Sequence, residues 1–466
     1  MIGASTWLNF DTMKNAIIIF CHFVFYCTSF SVQAQSSKKL ISGPWAGNVE
    51  LRTATVWMEV SKQVKKVHLT YKSAGSEKAN KIGYRGNLER DFNPVKIDLV
   101  GLDFNTNYEY DIWVDDEKIE LPFATKFTTK DLWQFRKPAP DFSFLAGSCN
   151  YSNEVIYDRP GKSYGGDSSI YETMAATPAQ FNLWLGDNWY YREVDFSSVW
   201  GLQYRASHDR SKSALQSLMA SMPQYAIWDD HDYGPNDANQ SFIFKQPSRA
   251  IFKDYFLNPT CGQDDKGIYT QFSYSDADFF LTDNRYFRSH ENFEDSIDGK
   301  PNSKKSYFGE QQMEWLKNAL LSSKATFKFI VSGNQVLNKL NPFESMQHYS
   351  FEYNNLLQFL ITHKINGVIF LSGDRHHGEV IRLNREGSYP LYDITLSPLT
   401  SGIAKPHVSE LNNPQRIEST LVEEQHFGKI SISGPKNERA VTLEFVGKKG
   451  QVISSWKINQ KEISNQ

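Results

Sequence analysis

The sequence predicts a layered α/β domain preceded by a small all-β sandwich, and three observations predict it. From Phe142 onward, short apolar runs alternate with amphipathic helical patterns, the grammar of a layered α/β domain. Between Gly43 and about Thr129 the runs are instead short, rich in β-branched and aromatic residues and separated by turn-formers, which is the grammar of a sandwich. The 466 residues, 40% hydrophobic and 22% charged, leave room for more than one folding unit and exclude both a disordered chain and a small stapled scaffold.

The first element in order is a leader. Met13-Lys14, the apolar run Ala16 to Phe30 and the ending Ser31-Val32-Gln33-Ala34 give a basic start, an apolar stretch and a small-x-Ala cleavage site. They predict a signal peptide over residues 1–34, with Met13 as an alternative start, and hence an exported protein, periplasmic or extracellular. The run falls short of the roughly 20 apolar residues of a spanning helix, so no transmembrane anchor is expected in the mature chain. Of four cysteines, Cys21 and Cys27 lie in this leader, which leaves Cys149 and Cys261 and removes any disulfide framework.

Residues 40–130 are assigned to the sandwich, with strands at Ala54 to Val60, Val67 to Tyr71, Val95 to Val100 and Tyr108 to Val114. The stretch Gly101 to Tyr110 resembles the corner before a late strand of fibronectin-type-III-like or immunoglobulin-like modules. Residues 131–141, with Pro138 and Pro140, read as a linker. Residues 142–460 form the α/β domain. Its expected strands are Phe142 to Ala146, Phe181 to Leu185, Gln224 to Trp228, Phe279 to Thr282, Phe327 to Val331 and Gly367 to Leu371. Its expected helices are Arg205 to Ala220, Glu310 to Ser322 and Tyr353 to Lys364, and a hairpin, Ala440 to Val446 with Val452 to Ile458, closes the chain.

The chemistry lies just past the ends of the apolar runs. Gly147-Ser148-Cys149-Asn150 comes after the first and Gly186-Asp187-Asn188-Trp189-Tyr190 after the second. Asp229-Asp230-His231-Asp232 comes after the third, with Asn236-Asp237 shortly beyond; Ser332-Gly333-Asn334 and Ser372-Gly373-Asp374-Arg375-His376-His377 come after two more. Ligands of α/β sheets bind at the carboxyl ends of strands, so these loops are expected to converge. Asp187, Asp230 and Asp374 together would raise one another's pKa, whereas one or two metal ions would satisfy them along with His231, His376 and Cys149. Such a cluster suits Lewis-acid activation of a phosphate and a metal-bound hydroxide as nucleophile.

Gly-Ser-Cys, Gly-Asp-x-x-Tyr, Trp-Asp-Asp-His-Asp with a following Asn, and Ser-Gly-Asp-x-His resemble the motifs of the alkaline phosphatase D (PhoD-like) phosphatases, a branch of the calcineurin-like metallophosphoesterase superfamily. The resemblance implies a four-layer αββα sandwich and a secreted phosphoesterase acting on phosphate monoesters, diesters or both. It also implies a metal cluster of a ferric ion with calcium ions. Cys149 and Tyr190 match the positions that give a thiolate and a phenolate to iron, Asp187 a bridging position, and Asp374 and His376 the last metal motif, with His377 as the neighbouring alternative. The third-loop ligand falls on Asn236, Asp230 or Asp237, because the motif reads His231-Asp232-Tyr233-Gly234-Pro235-Asn236 where relatives have Glu after His. His231 sits where superfamily members place a proton donor to the leaving alkoxide, and Arg375 where phosphate charge would be neutralised.

Two other readings compete. In one, Cys149 is the nucleophile of a thiol hydrolase with His231 or His376 as base, which leaves three aspartates idle. In the other, the chain is a non-catalytic surface-binding protein. The formal net charge of −3 is too near balance for an electrostatic nucleic-acid binder, so nucleic acid enters only as a substrate; the partner expected is a phosphate ester. Cys261 has no assigned role.

Overall fold

The computed structural model describes residues 39–465, so the leader expected over residues 1–34, with Cys21 and Cys27, lies outside the described residues. Strands β1 (Leu40–Gly47), β2 (Thr53–Val60) and β5 (Asn93–Val100) form one antiparallel sheet. Strands β3 (Val67–Ser73), β4 (Asn80–Gly83), β6 (Asn107–Val114), β7 (Glu117–Lys118) and β8 (Lys126–Thr128) form another. Alternate residues of β6 are buried, as expected of a strand with one face on a core, and the two sheets share a hydrophobic cluster that includes Val56, Leu69, Ile97 and Ile112. At the corner singled out in the sequence, the Tyr108 hydroxyl accepts a hydrogen bond from the Asp103 amide at 2.9 Å.

The rest of the chain is mixed α/β. One six-stranded sheet runs β11 (Gln224–Ile227), β10 (Asn182–Leu185), β9 (Phe142–Gly147), β20 (His426–Ser433), β21 (Ala440–Gly447) and β22 (Val452–Asn459), with β9, β10 and β11 parallel. The other runs β12 (Thr270–Tyr274), β13 (Ala277–Leu281), β16 (Phe327–Val331), β17 (Val368–Ser372), β19 (Ser388–Thr395) and β18 (Glu379–Arg385), in which β13, β16, β17 and β19 are parallel. A two-stranded ribbon, β14 (Ser296–Ile297) with β15 (Lys300–Pro301), lies outside both. Every residue of β16 and β17 is buried, which is why these strands read as apolar runs broken only by Lys328 and the terminal Ser372. The two large sheets meet through aromatic rings: Phe144 lies 5.1 Å from Phe279 and 5.5 Å from Phe329, edge to face.

The helices are α1 (Ser169–Ala176), α2 (Val199–Arg210), α3 (Ser213–Ser221), the single turn α4 (Asp230–Tyr233), α5 (Lys245–Tyr255), α6 (Glu310–Ser322) and α7 (Ser350–Thr362). The one helix expected over Arg205 to Ala220 is in fact two. The Ser211 hydroxyl takes the His208 carbonyl at 2.8 Å, Lys212 turns extended, and the Arg210 carbonyl is taken by Ser42 Oγ at 2.8 Å and Gln216 Nε2 at 2.6 Å. Side-chain hydrogen bonds, local from Ser211 and Gln216 and long-range from Ser42, thus replace the helical ones. Sequence patterning also passed over α1 and α5, and over β12, β18, β19 and β20. Among the described residues no helix is long and apolar enough to cross a membrane.

The N-terminal strands join the α/β part through buried polar contacts as well as rings. Trp57 packs on Trp45 and Tyr255, and its indole donates to the Asp254 carbonyl at 2.7 Å. Beside it Glu59 is buried and accepts from Ser207 Oγ at 2.8 Å, and burial pushes its carboxyl up to about 7. A carboxyl with an elevated folded-state pKa binds its proton more tightly in the folded than in the unfolded chain, so stability is lost as pH rises from the ordinary glutamate value through 7. Glu59→Gln, which keeps an acceptor for Ser207, is expected to leave stability unchanged at about pH 4 and to raise it by up to ~3 kcal/mol at about pH 8. Urea unfolding of both proteins at the two pH values checks this; equal stabilities at the higher pH would show that folding does not raise the pKa of the carboxyl.

Candidate metal centre at the strand ends

Each site side chain leaves the end of a parallel strand. Cys149 follows β9, Asp187 and Tyr190 follow β10, Asp230 and His231 lie on α4 just past β11, and Asp374 and His376 follow β17. The turns are sharp: Cys149, Asp187, Asp374 and His376 all have positive φ, at 60°, 52°, 67° and 58°. Such strain in residues other than glycine gathers at functional sites. Gly186, at φ 96°, is needed before Asp187, because a Cβ there would lie 2.7 Å from the Asp229 Cβ.

Three groups of side chains have ligand atoms within 4.8 Å of one another: Cys149 with Asp187 and His376; Asp187 with Asp230 and His231; and Asp230 with Asp237 and Glu344. Asp187 belongs to the first two and Asp230 to the last two. Cys149 is fully buried, with its sulfur 3.5 Å from Asp187 Oδ2, and Tyr190 donates its hydroxyl to the same oxygen at 2.9 Å. The Tyr190 ring stacks on His231 at 4.1 Å. His376 Nδ1 faces the Gly402 carbonyl at 2.6 Å. A carbonyl only accepts, so Nδ1 carries the hydrogen and Nε2 the free lone pair, the tautomer of a metal-ligating histidine.

The electrostatics divide the site in two. Burial, then the neighbouring carboxylates, push Asp187 and Asp374 well above the carboxylate range; burial, then Asp187 and Asp374, do the same to the Cys149 thiol, and burial with Asp187 raises the Tyr190 phenol. Among the described residues neither Asp187 nor Asp374 forms an ion pair. On the other side guanidinium groups are plentiful. Arg285 binds Asp229 and Glu344 and lies 3.7 Å from Asp230, while Arg288 binds Glu344 at 2.9 Å. Burial would raise Asp230, but His231, Arg285 and the Asp237 amide hold it below its ordinary range. Its Oδ1 has no hydrogen-bond partner although buried. Burial lowers the pKa of both imidazoles, taking that of His376 down to about 4.

Support comes from residues outside the ligand groups. Asp232 accepts from the amides of Asp187 and Asn188 at 3.2 Å each and of Asp229 at 2.7 Å, fastening the loop after β10 to the loop after β11. Asn334 donates to Asp229 Oδ2 at 3.0 Å and accepts from Arg288 at 2.7 Å.

Of the residues expected from the sequence, Cys149, Asp187, Asp230, His231 and His376 come together in the ligand groups, with Tyr190 bonded to Asp187 and Asp374 beside them electrostatically. In the third loop, Asn236 is exposed, while Asp237 joins Asp230 and Glu344. His377 is buried away from these groups, 3.7 Å from Glu379. Arg375 departs from the expectation of a phosphate-facing cation: it is buried, with one terminal nitrogen paired to Glu410 and the other donating to Asn341 at 2.7 Å, so its charge is met within the protein. Glu344 and Arg285 escaped sequence reading. Arg285 had a usable signal, since Asp283-Asn284-Arg285 follows β13 as polar groups follow the other strands; Glu344 lies in a loop with no such marker.

Strand-end loops on paired α/β sheets gather carboxylates, imidazoles and a thiol into groups that could hold metal ions. The chain belongs to the PhoD-like phosphatases: that family's model matches residues 144–443, and membership makes it a phosphoric ester hydrolase. It is similar to a solved structure described as the structure of PhoD, with a TM-score of 0.74, 17% identity and 93% of each chain covered, a likeness of fold. A Vps29 single mutant from Entamoeba histolytica aligns at a TM-score of 0.25 and 8% identity over 68% of this chain and 98% of its own. No curated protein matches the chain.

Removing the Asp232 carboxylate strands three buried amides. Asp232→Ala is expected to cost ~2–4 kcal/mol in urea unfolding and to lower the metal bound per chain measured by elemental analysis.

Proposed function

We propose that the chain is an exported, metal-dependent phosphoesterase that hydrolyses phosphate monoesters, diesters or both. The observation that carries this reading is the sharing of Asp187 between two ligand groups in a chain of this family. The donor set fits a metal cluster: Asp187 and Asp374 are crowded by other acids, a buried Asp230 oxygen lacks a hydrogen-bond partner, and His376 presents a lone pair. We assign residues 40–130 to an immunoglobulin-like or fibronectin-like module, 131–141 to a linker and 142–460 to a four-layer αββα catalytic domain.

Cys149, Tyr190, Asp187, Asp374 and His376 would hold a ferric ion, since thiolate and phenolate are anionic donors that suit it. Asp187 and Asp230, with Asn236, Asp237 or Glu344, would hold the harder calcium ions. Bound there, such cations supply Lewis-acid chemistry, withdrawing charge from phosphoryl oxygens and lowering the pKa of water. His231, 24% exposed at its side chain and stacked on Tyr190, is the residue assigned to pass a proton to the leaving oxygen. Arg375 is assigned to holding the Asp374 loop against Glu410 rather than to binding phosphate.

The thiol-hydrolase reading loses support, because a nucleophilic cysteine needs a lowered pKa and an imidazole partner. Burial raises the Cys149 thiol, and although His376 lies within 4.8 Å, the hydrogen-bond partners of the sulfur are Ser148 and Asp187.

Purified protein should contain iron and calcium and absorb visible light through a phenolate-to-iron transition that Tyr190→Phe removes. A colourless, metal-free protein with full activity would refute the mechanism. Hydrolysis of aryl phosphate mono- and diesters should stop on chelation. Cys149→Ser should lose at least ~10-fold in kcat/KM and regain part of it with added metal, whereas complete loss with unchanged metal content would favour a cysteine nucleophile.

A further inference from the structure

We propose that Tyr164 contacts the substrate, its phenolic O–H donating a hydrogen bond to a non-bridging oxygen of the bound phosphoryl group; this rests on the phosphoesterase reading above. Tyr164 lies in the long segment between β9 and α1, and that segment is fastened close to it. The Asn153 side chain donates to the Gly165 carbonyl at 2.8 Å and accepts from the Gly165 amide at 3.0 Å, and the Gly166 amide donates to the Thr400 carbonyl at 2.6 Å. The Tyr164 ring rests on Gly402, where a Cβ would come within 3.1 Å of Cε2, and meets Tyr151 edge-on at 4.9 Å. It lies 5.9 Å from the His376 ring and 6.4 Å from that of Tyr190. Although wedged among the ligand-bearing loops, Tyr164 is 46% exposed, so it is both wall and opening of the site.

The hydroxyl has an acceptor to spare and a hydrogen with nowhere to go. Its oxygen lies 3.2 Å from His376 Nδ1 and 3.5 Å from Nε2. Nδ1 carries a hydrogen, because it faces the Gly402 carbonyl, so toward Nδ1 the tyrosine oxygen can only accept. Toward Nε2 the tyrosine can donate only while that lone pair is free, and ligation would occupy it. Among the described residues no other group hydrogen-bonds this hydroxyl. Its hydrogen is then free for an acceptor arriving through the opening, and a phosphoryl oxygen is such an acceptor. An uncharged donor at this point assists an anionic substrate without adding charge to a site already crowded with acids.

Metal-replete wild type, Tyr164→Phe and Tyr164→Leu should be compared in hydrolysis of soluble aryl phosphate esters, in calorimetric titration with inorganic phosphate, and in metal content. Tyr164→Phe, which keeps the ring, is expected to keep its metal, to lose ~10-fold in kcat/KM and to bind phosphate more weakly by a similar factor. If Tyr164→Phe matches an active wild type in both hydrolysis and phosphate binding, the Tyr164 assignment alone falls, even where Tyr164→Leu is impaired, because the ring and not the hydroxyl would then matter. Loss of metal from Tyr164→Phe would reduce the residue to a support for His376 and overturn the assignment. A wild type that neither hydrolyses esters nor binds phosphate would overturn the phosphoesterase reading and the role of Tyr164 with it.

Discussion

Acidic groups concentrated in a buried pocket at the ends of parallel strands repel one another and lose hydration, and the surrounding architecture answers that cost. On the side of β13 and β16 the answer is protein: Arg285 and Arg288 are fully buried and pair with Asp229, Glu344 and, at longer range, Asp230. Taking ions out of water costs several kcal/mol each, which is repaid only by close pairing and complete hydrogen bonding. Asp229 shows how finely this is balanced. Burial pushes it up to about 7 despite Arg285, and both of its oxygens are bonded.

On the side of β9, β10 and β17 no guanidinium among the described residues plays that part for Asp187, and Cys149, Asp187, Tyr190 and Asp374 are all driven toward their neutral forms. The asymmetry locates where a cation cluster would do most, because anionic donors held neutral by mutual repulsion become ligands once a positive charge stands among them. Cys149, Asp187, Asp374 and His376 leave their strands with positive φ, and the hydrogen bonds of Asp232 hold the loop after β10 against the loop after β11.

Much of this was legible in the sequence. Strands buried on both faces announce themselves as apolar runs, so β16, apolar except for Lys328, was found end to end, and α6, an amphipathic helix preceded by Gly309, matched its expected bounds. Helix α2 and helix α3 were merged because the break between them depends on Ser42 and Gln216 reaching the Arg210 carbonyl, and Ser42 is remote in sequence. Strands β18 to β20 were missed where polar residues alternate or where only a partner strand makes the segment extended.

By itself the sequence determined which residues leave strand ends together, because an apolar run followed by a glycine or a sharp turn and a polar group is a local signal. That sufficed to name Cys149, Asp187, Asp230, His231, Asp374 and His376 as candidates, and the family resemblance added Tyr190. Only the tertiary structure decided which way each side chain is spent. Arg375, adjacent in sequence to Asp374, turns into the protein toward Glu410, and His377 toward Glu379, whereas Glu344 and Tyr164 reach the site from loops that carry no local mark. The reason is that charge pairing and burial are properties of the space between elements, settled when distant loops meet, and no pattern along one strand encodes them.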